Sequence, residues 1–181
     1  NYRKVPYRVC WVVRSAAYPC GGMEYITDIA NEMIERGIDV RVAVVGRGPQ
    51  AKPLDPNGEL RCGVINFETE EDFLKTFSAR VFKNGVVISS TSEIALIVSK
   101  LIEIEKKLKA MLHVQSYEPD LLGKEHPAYE EFRNAFKLLP NVISSSHWIT
   151  RKLIEEGINV IATISPGVDR RMFYPGNRTN G

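Results

Sequence analysis

Residues 8–37 read RVCWVVRSAAYPCGGMEYITDIANEMIERG, and three patterns follow one another in this segment. The apolar run at 9–13 predicts a buried strand, and a loop that ends in Gly21 and Gly22 separates it from a helical pattern that begins at Met23. Turn glycines let the backbone approach a ligand closely, and the first N–H groups of a helix have no partners within the helix. The order of strand, glycine turn and helix therefore predicts either an anion site or a tight turn without a ligand.

The composition is ordinary for a globular protein of 181 residues, with 44% hydrophobic and 25% charged residues. This length suits one large domain and buries a core without disulfides or metal. The net charge is +2, and no basic block with interleaved aromatic residues occurs, so nucleic acid is not a favoured partner. No apolar run approaches the roughly 20 residues of a membrane span, and no signal peptide is visible.

Three cysteines, Cys10, Cys20 and Cys62, lie at spacings that fit no metal site and cannot all pair within one chain. We therefore expect reduced thiols, a cytoplasmic location and no metal centre. Cys20 precedes the glycine pair, where it is either a reactive thiol at a helix N-terminus or a small loop residue.

Strand and helix patterns alternate along the whole chain. Strands are predicted at residues 8–14, 38–45, 60–67, 86–90, 111–115, 141–144 and 159–164. Helices are predicted at residues 23–36, 70–83, 92–109, 128–138 and 147–156, and a Gly- and Pro-rich loop at 46–58. Such alternation predicts an α/β fold: one doubly wound, mostly parallel, Rossmann-like sheet of about seven strands with helices on both faces.

Ligands of doubly wound sheets bind at the carboxyl ends of the strands, next to the point where the strand order reverses. This rule selects the loops at 15–22, 89–92, 116–123 and 144–147. The alternation of side chains along a strand also places His113 and Gln115 on the same face of the predicted fifth strand. His113 is then either a ligand-facing residue or a histidine of the core.

Three ordered motifs resemble those of one enzyme family. They read PCGGME at 19–24 with RGIDV at 36–40, VISSSHWITRKL at 142–153, and ISPGVD at 164–169 with FYP at 173–175. The first is similar to the Gly-Gly-x-Glu loop and the Arg-Gly-His-Glu-Val helix exit of group 1 (family 4) glycosyltransferases with the GT-B fold. The second is similar to the strand, serine turn and helix of that family, and the third to its hinge entry.

The resemblance implies a two-domain enzyme of which this chain is the N-terminal part. Residues 1–175 would form a single Rossmann-like, acceptor-side domain, and residues 176–181 would begin the hinge. The nucleotide-sugar pocket and the Glu-x7-Glu motif of the family lie in the C-terminal domain. The whole protein would be a retaining transferase that uses a nucleotide sugar as donor substrate and needs no cofactor, and the fragment would be inactive alone.

The resemblance further implies partners and a location. The acceptor would be a glycan or a lipid-linked molecule, and the chain would pair with its own C-terminal domain in the cytoplasm. Family members that modify lipids bind the inner face of the membrane through a basic patch, which the dispersed Arg and Lys residues of this chain do not form.

The resemblance assigns substrate-binding roles to six residues and certain catalytic roles to none. Gly21 and Gly22 would face the cleft, and Ser146 would begin a helix at the same cleft. The family has a histidine against the transferred sugar after its fifth strand, a position that corresponds here to His113 or Gln115. Glu118 would contact an acceptor hydroxyl or cap the following segment.

Two other functions remain open at this point. A GT-B nucleotide-sugar epimerase or phosphorylase would have the same fold and a different reaction. A non-catalytic, Rossmann-like ligand-binding domain would have no reaction at all. NAD is not its expected ligand, because the Gly-x-Gly-x-x-Gly fingerprint is missing after the first strand.

Overall fold

The computed structural model describes residues 8–14, 21–46, 60–80 and 85–167. These ranges contain strands and helices in nearly strict alternation: β1 (Arg8–Val13), α1 (Gly21–Glu35), β2 (Asp39–Val45), β3 (Gly63–Phe67), α2 (Glu70–Arg80), β4 (Val86–Ser89), α3 (Ser92–Ile104), β5 (Lys109–Val114), α4 (Glu118–Leu122), α5 (Tyr129–Ala135), β6 (Val142–Ser144), α6 (His147–Glu155) and β7 (Val160–Thr163). The expectations for Cys20, for most of the loop at 46–58, for the motif residues after 167 and for the hinge at 176–181 lie outside the described residues.

All seven strands pair in parallel within one sheet, in the order β3-β2-β1-β4-β5-β6-β7. This topology confirms the predicted α/β, doubly wound fold. The central strands β1 and β2 are rich in valine and almost fully buried, as expected for strands with a covering layer on each face.

The strand order reverses at β1, which pairs with β2 on one side and with β4 on the other. Right-handed crossovers therefore place α1 and α3 on opposite faces of the sheet. In doubly wound sheets, ligands bind in a crevice at the carboxyl ends of the strands, next to such a reversal. Gly21 and Gly22 were predicted to end a loop, but they form the start of α1, which therefore begins two residues before Met23. The fold places this helix start at the usual ligand edge of such a sheet.

Each face of the sheet carries its own apolar layer. Along β1, Trp11 belongs to the layer under α1, whereas Cys10 and Val12 belong to the opposite layer with α3. That opposite layer includes the rings of Phe73 and Phe77, which are tilted against each other with centroids 4.9 Å apart. No helix in the described part of the chain is long and apolar enough to cross a membrane.

Helix α3 ends at Ile104, five residues before the predicted end at Lys109. Glu105 closes the helix with a backbone N–H that donates to the Leu101 carbonyl at 2.8 Å. Lys109 instead starts β5, where it pairs with Val86. Residues 105–109, which were predicted to be helical, therefore form a turn and the start of a strand.

Two further predictions about helices need correction. Helix α4 was expected to be loop, and it forms with Pro119 in its first turn, where proline loses no hydrogen bond. Helix α5 ends at Ala135, three residues before the predicted end, and the next residue, Phe136, is buried. Burial of Phe136 and Leu139 in the core turns the chain towards β6 before a longer helix can form.

Candidate functional site

The carboxyl edge of the sheet brings together the helix starts that follow the loops selected from the sequence. Helix α1 starts at Gly21 after β1, and α3 starts at Ser92 after β4. Helices α4 and α6 start at Glu118 and His147, after β5 and β6. Because all strands are parallel, every one of these helices presents its N-terminus at this edge. The edge therefore offers several sets of backbone N–H donors to an anion.

Gly22 and Gln115, two of the predicted site residues, lie directly against each other. A Cβ atom added to Gly22 would lie 2.8 Å from Oε1 of Gln115, closer than a real contact allows. The backbone carbonyl of Gln115 also accepts a hydrogen bond from Ser145 Oγ at 3.1 Å. The absence of a side chain at Gly22 therefore makes room for the Gln115 amide, and Ser145 fixes the backbone of Gln115 from the other side.

His113 is buried completely, on the α1 side of the sheet. Its ring lies edge-on to Trp11 at 5.5 Å between centroids, and Tyr25 covers it at 5.3 Å. Neither ring nitrogen of His113 has a hydrogen-bond partner within the described ranges. Burial lowers the pKa of His113 from 6.5 to about 4, so the ring is neutral at pH 7.

Tyr25 connects this histidine with the last strand of the sheet. Its hydroxyl donates to the backbone carbonyl of Ile164 at 2.7 Å, just beyond β7. Tyr25 lies one helical turn after Gly22, on the same side of α1, which explains how one helix reaches both Gln115 and His113. The sequence analysis missed Tyr25; its spacing from the glycine pair was the available signal.

Glu118 contacts α3, the helix that precedes it in the sequence. One of its two expected roles was to cap the segment that follows it. Its carboxylate accepts a hydrogen bond from the backbone N–H of Ser92 at 2.7 Å, at the start of α3. Burial raises the pKa of Glu118, and the hydrogen bond to Ser92 opposes this effect. The N-terminus of α3 thus holds an internal anion, whereas no such contact is seen at α1 within the described residues.

Ser146 caps α6, as its sequence position predicts. Its hydroxyl accepts from the backbone N–H of Ile149 at 3.2 Å. Behind it, Thr150 Oγ1 lies 2.6 Å from Ser144 Oγ and 2.6 Å from Thr163 Oγ1, and these hydroxyl contacts join β6, α6 and β7. The Ser146 hydroxyl is therefore engaged within the protein.

Arg14 is a second residue that the sequence analysis missed. It follows β1 directly, donates to the Val45 carbonyl at 3.1 Å and pairs with Glu93 on α3. The hydrogen bond to Glu93 raises the pKa of Arg14. Arg14 thus ties the ends of β1 and β2 to α3; a charged residue at the end of a buried strand was the signal for it.

The two described cysteines do not have the properties of reactive thiols. Cys10 and Cys62 are free, and burial raises the pKa of Cys62 to about 11 and that of Cys10 as well. A thiol with a raised pKa is a poor nucleophile at neutral pH. Within the described residues, no three His, Cys, Asp or Glu side chains are placed to hold a metal ion.

No protein-family model and no curated protein matches the sequence. Solved structures of glycosyltransferases do share the fold. The lipopolysaccharide outer core galactosyltransferase WaaB, in its apo form, superposes with a TM-score of 0.66 at 13% identity, over 89% of this chain and 46% of its own. The chain shares its fold with GT-B glycosyltransferases.

Two complexes of an alpha-glucosyltransferase extend this likeness. One, with UDP and a 13-mer DNA that contains an HMU base, has a TM-score of 0.56 at 13% identity, over 94% of this chain and 46% of that one. The other, with UDP-glucose and DNA that contains an abasic site, has a TM-score of 0.51 at 12% identity, over 87% and 41%. The chain spans less than half of these proteins, and membership of group 1 (family 4) stays a prediction.

Proposed function

We propose that this chain is the acceptor-side domain of a retaining glycosyltransferase. The whole protein moves a sugar from a nucleotide-sugar donor to a glycan or lipid-linked acceptor. The observation that carries this proposal is the contact between Gly22 and Gln115, since it joins the N-terminus of α1 to the proposed sugar-contact position at the ligand edge of the sheet. The fold shared with glycosyltransferases supports it.

The chemistry of this edge suits a reaction in which a nucleoside diphosphate leaves. The departing group gains negative charge, which oriented backbone N–H groups stabilise. The N-terminus of α1, with Gly21 and Gly22, presents such groups, and the helix dipole adds about 0.3–1 kcal/mol of attraction. The opposing half of the crevice belongs to the C-terminal domain, which holds the nucleotide, so the isolated chain is inactive. No cofactor takes part.

We assign the sugar contact to Gln115 in preference to His113. The Gln115 side chain is partly exposed at the edge, whereas His113 is fully buried beneath Tyr25. A sugar reaches His113 only if Tyr25 releases Ile164 and rotates away. The amide of Gln115 both donates and accepts hydrogen bonds, which suits sugar hydroxyl groups. In this assignment His113 supports the site from below as a neutral ring.

A transfer assay on the full-length protein tests the proposal. The protein is incubated with UDP-, GDP- and dTDP-sugars, with and without glycan and lipid-linked acceptors, and released diphosphate and labelled product are measured. We expect release and transfer with one donor only when an acceptor is present, and none with the 181-residue chain alone. Conversion of the nucleotide sugar without any acceptor would instead indicate an epimerase, and tight nucleotide binding by this chain alone would indicate a non-catalytic binding domain.

A further inference from the structure

We propose that Tyr117, Asp120, Trp148 and Lys152 form an acceptor subsite that stacks a pyranose ring of a glycan. We call these four residues the aromatic platform. The inference rests on the proposed transferase function, because it names the class of acceptor that this domain binds. None of these four residues is among the site residues that were predicted from the sequence.

One ammonium group holds the aromatic platform together. Lys152 Nζ lies 5.6 Å from the ring centroid of Trp148 and 5.7 Å from that of Tyr117. The same atom lies 3.3 Å from Asp120 Oδ2, so the positive charge is paired. The ion pair links α6 to α4, and the Trp148 indole lies beside the same ammonium group.

The inner part of the aromatic platform is rigid. Tyr117 is 4% exposed, its ring stacks on Phe136 at 5.4 Å, and its hydroxyl donates to Glu156 at 3.3 Å. Arg133 holds the same Glu156 carboxylate at 2.6 Å. A ligand that lies on Lys152 and Trp148 would therefore meet a preorganised surface, which reduces the entropy lost on binding.

The outer part is apolar and open. Trp148 is 49% exposed, whereas the other tryptophan of the chain, Trp11, is 1% exposed. Leu121 follows Asp120 on α4 and is 76% exposed. A large aromatic face beside a paired ammonium and carboxylate matches a pyranose ring, because such a ring has a face of C–H groups and an edge of hydroxyl groups.

The position of the aromatic platform favours an acceptor. Trp148 is the second residue of α6, and Tyr117 precedes α4 directly, so both lie at the carboxyl edge of the sheet. Gln115 lies two residues before Tyr117, and Ser145 links its backbone to the turn before α6. A glycan that rests on Trp148 would therefore have its neighbouring sugar within the same rim as the candidate transfer site.

The charges near Trp148 favour a sugar over an anionic membrane. Lys152 is neutralised by Asp120, and the exposed Arg151 is followed on α6 by the exposed Glu155. Binding to anionic lipids needs an excess of basic residues next to the apolar side chains. The balanced charges supply no such excess.

Indole NMR signals of the 181-residue chain test the proposal, since the chain has two tryptophans and Trp148→Phe identifies the outer one. The probes are lactose, maltotetraose and chitotetraose. We expect at least one of them to shift the Trp148 signal and to leave the Trp11 signal in place. Absence of a shift with all three sugars would overturn the proposal. Broadening of the Trp148 signal by phosphatidylglycerol vesicles, without a response to sugars, would overturn it in favour of a lipid surface.

Variants of the full-length enzyme separate this subsite from the proposed function. We expect Trp148→Ala to raise the KM for the acceptor about three- to tenfold, with the donor KM unchanged, and Trp148→Phe to restore part of the loss. Ile154→Ala serves as the control with unchanged KM values, because Ile154 is an exposed apolar residue on the same helix, 59% exposed against 49% for Trp148. Normal acceptor KM in Trp148→Ala would overturn the subsite alone, whereas sugar binding at Trp148 without any transfer would overturn the proposed function alone.

Discussion

His113 is a titratable ring in surroundings that offer it no hydrogen-bond partner among the described residues. Trp11 and Tyr25 enclose it, and burial holds its pKa at about 4. Because the folded pKa lies below the ordinary value of 6.5, the unfolded chain binds the proton more readily between these two pH values. The stability that His113 contributes is therefore complete above pH 6.5 and is lost as the pH falls towards 4.

We predict that His113→Leu makes the unfolding free energy less dependent on pH in this window. Between pH 7 and pH 4, protonation of this one ring should lower the unfolding free energy of the wild-type protein by up to about 3 kcal/mol. The variant lacks this contribution, so its unfolding free energy should fall by correspondingly less. Urea unfolding at a series of pH values measures the difference in slope. Parallel pH profiles of the two proteins would contradict the buried, neutral state of His113.

The contact between Gly22 and Gln115 leads to a second prediction. A methyl group at Gly22 must displace the end of the Gln115 side chain, which is flexible, so Gly22→Ala should fold with a stability within about 1 kcal/mol of the wild type. The displaced amide should lower kcat/KM for transfer about tenfold or more. The transfer assay on the full-length protein measures this loss.

Gly63→Ala is a matched control for this change. A Cβ atom at Gly63 would lie 2.7 Å from Nη1 of Arg41, a comparable crowding against a flexible side chain, but at the start of β3. Its transfer activity should equal that of the wild type. Equal loss of activity in both variants, or full activity in Gly22→Ala, would remove Gly22 from the site.

The sequence predicted some of the contacts at this edge but not others, for a physical reason. The proximity of Gly22 and Gln115 was predictable, because Gly22 follows the first predicted strand and Gln115 ends the fifth, and the parallel topology places both strand ends at the same edge. The burial of His113 and the reach of Tyr25 to Ile164 depend on which side chains fill the space above β5. No local pattern encodes such a packing choice, so the alternative of His113 or Gln115 could not be resolved from the sequence.

Two helix caps give a prediction at the level of elements. Ser146 caps α6 and Thr91 caps α3, each through a 3.2 Å hydrogen bond from a backbone N–H. Removal of either hydroxyl should cost about 1 kcal/mol of unfolding free energy. Urea unfolding of Ser146→Ala and Thr91→Ala measures this cost, and Ser146→Thr should retain most of the stability. Loss well above the Thr91→Ala value would show a further role of Ser146 beyond capping.

Glu118 gives a second prediction at this level, because it supplies an acceptor to the N-terminus of α3. Glu118→Ala leaves the Ser92 N–H without that acceptor and should cost about 1–3 kcal/mol, whereas Glu118→Gln keeps an oxygen and should cost less. Burial raises the pKa of Glu118, so the folded protein holds this proton more tightly than the unfolded chain. Relative to Glu118→Gln, the wild type should therefore lose stability as the pH rises through that pKa.

Urea unfolding of the three proteins at acid and neutral pH checks both statements about Glu118. Equal stability of Glu118→Ala and the wild type would show that the hydrogen bond to Ser92 contributes nothing. A wild-type advantage over Glu118→Gln that grows with pH would contradict the direction of the pKa shift.

Helix boundaries show where periodic patterns stop being informative. The apolar spacing of α3 continues through Leu108, and the lysines around it, at 106, 107 and 109, are typical of a helix end. The structure ends α3 earlier because Lys109 pairs with Val86 in the sheet. The pairing of strands that are distant in the sequence outweighed the local preference for helix at residues 105–109. This pairing can be seen only in the folded sheet.

The topology of the whole molecule was the most predictable feature. Alternating strands and helices leave few arrangements once crossovers are right-handed, and the observed order follows this rule. The reacting molecules are less predictable, since chains that share this fold at 12–13% identity have diverged in most of their side chains. The fold alone therefore does not identify a donor, an acceptor or a linkage.

The central claim is that the carboxyl edge of this sheet is one wall of a nucleotide-sugar cleft. Hydrogen–deuterium exchange of the full-length protein, with and without the donor found in the transfer assay, tests it most directly. We predict slower exchange on donor binding in the peptides that contain Gly22 and Gln115, at the start of α1 and the end of β5. Protection confined to the amino edge of the sheet, or unchanged exchange throughout these 181 residues, would contradict the claim.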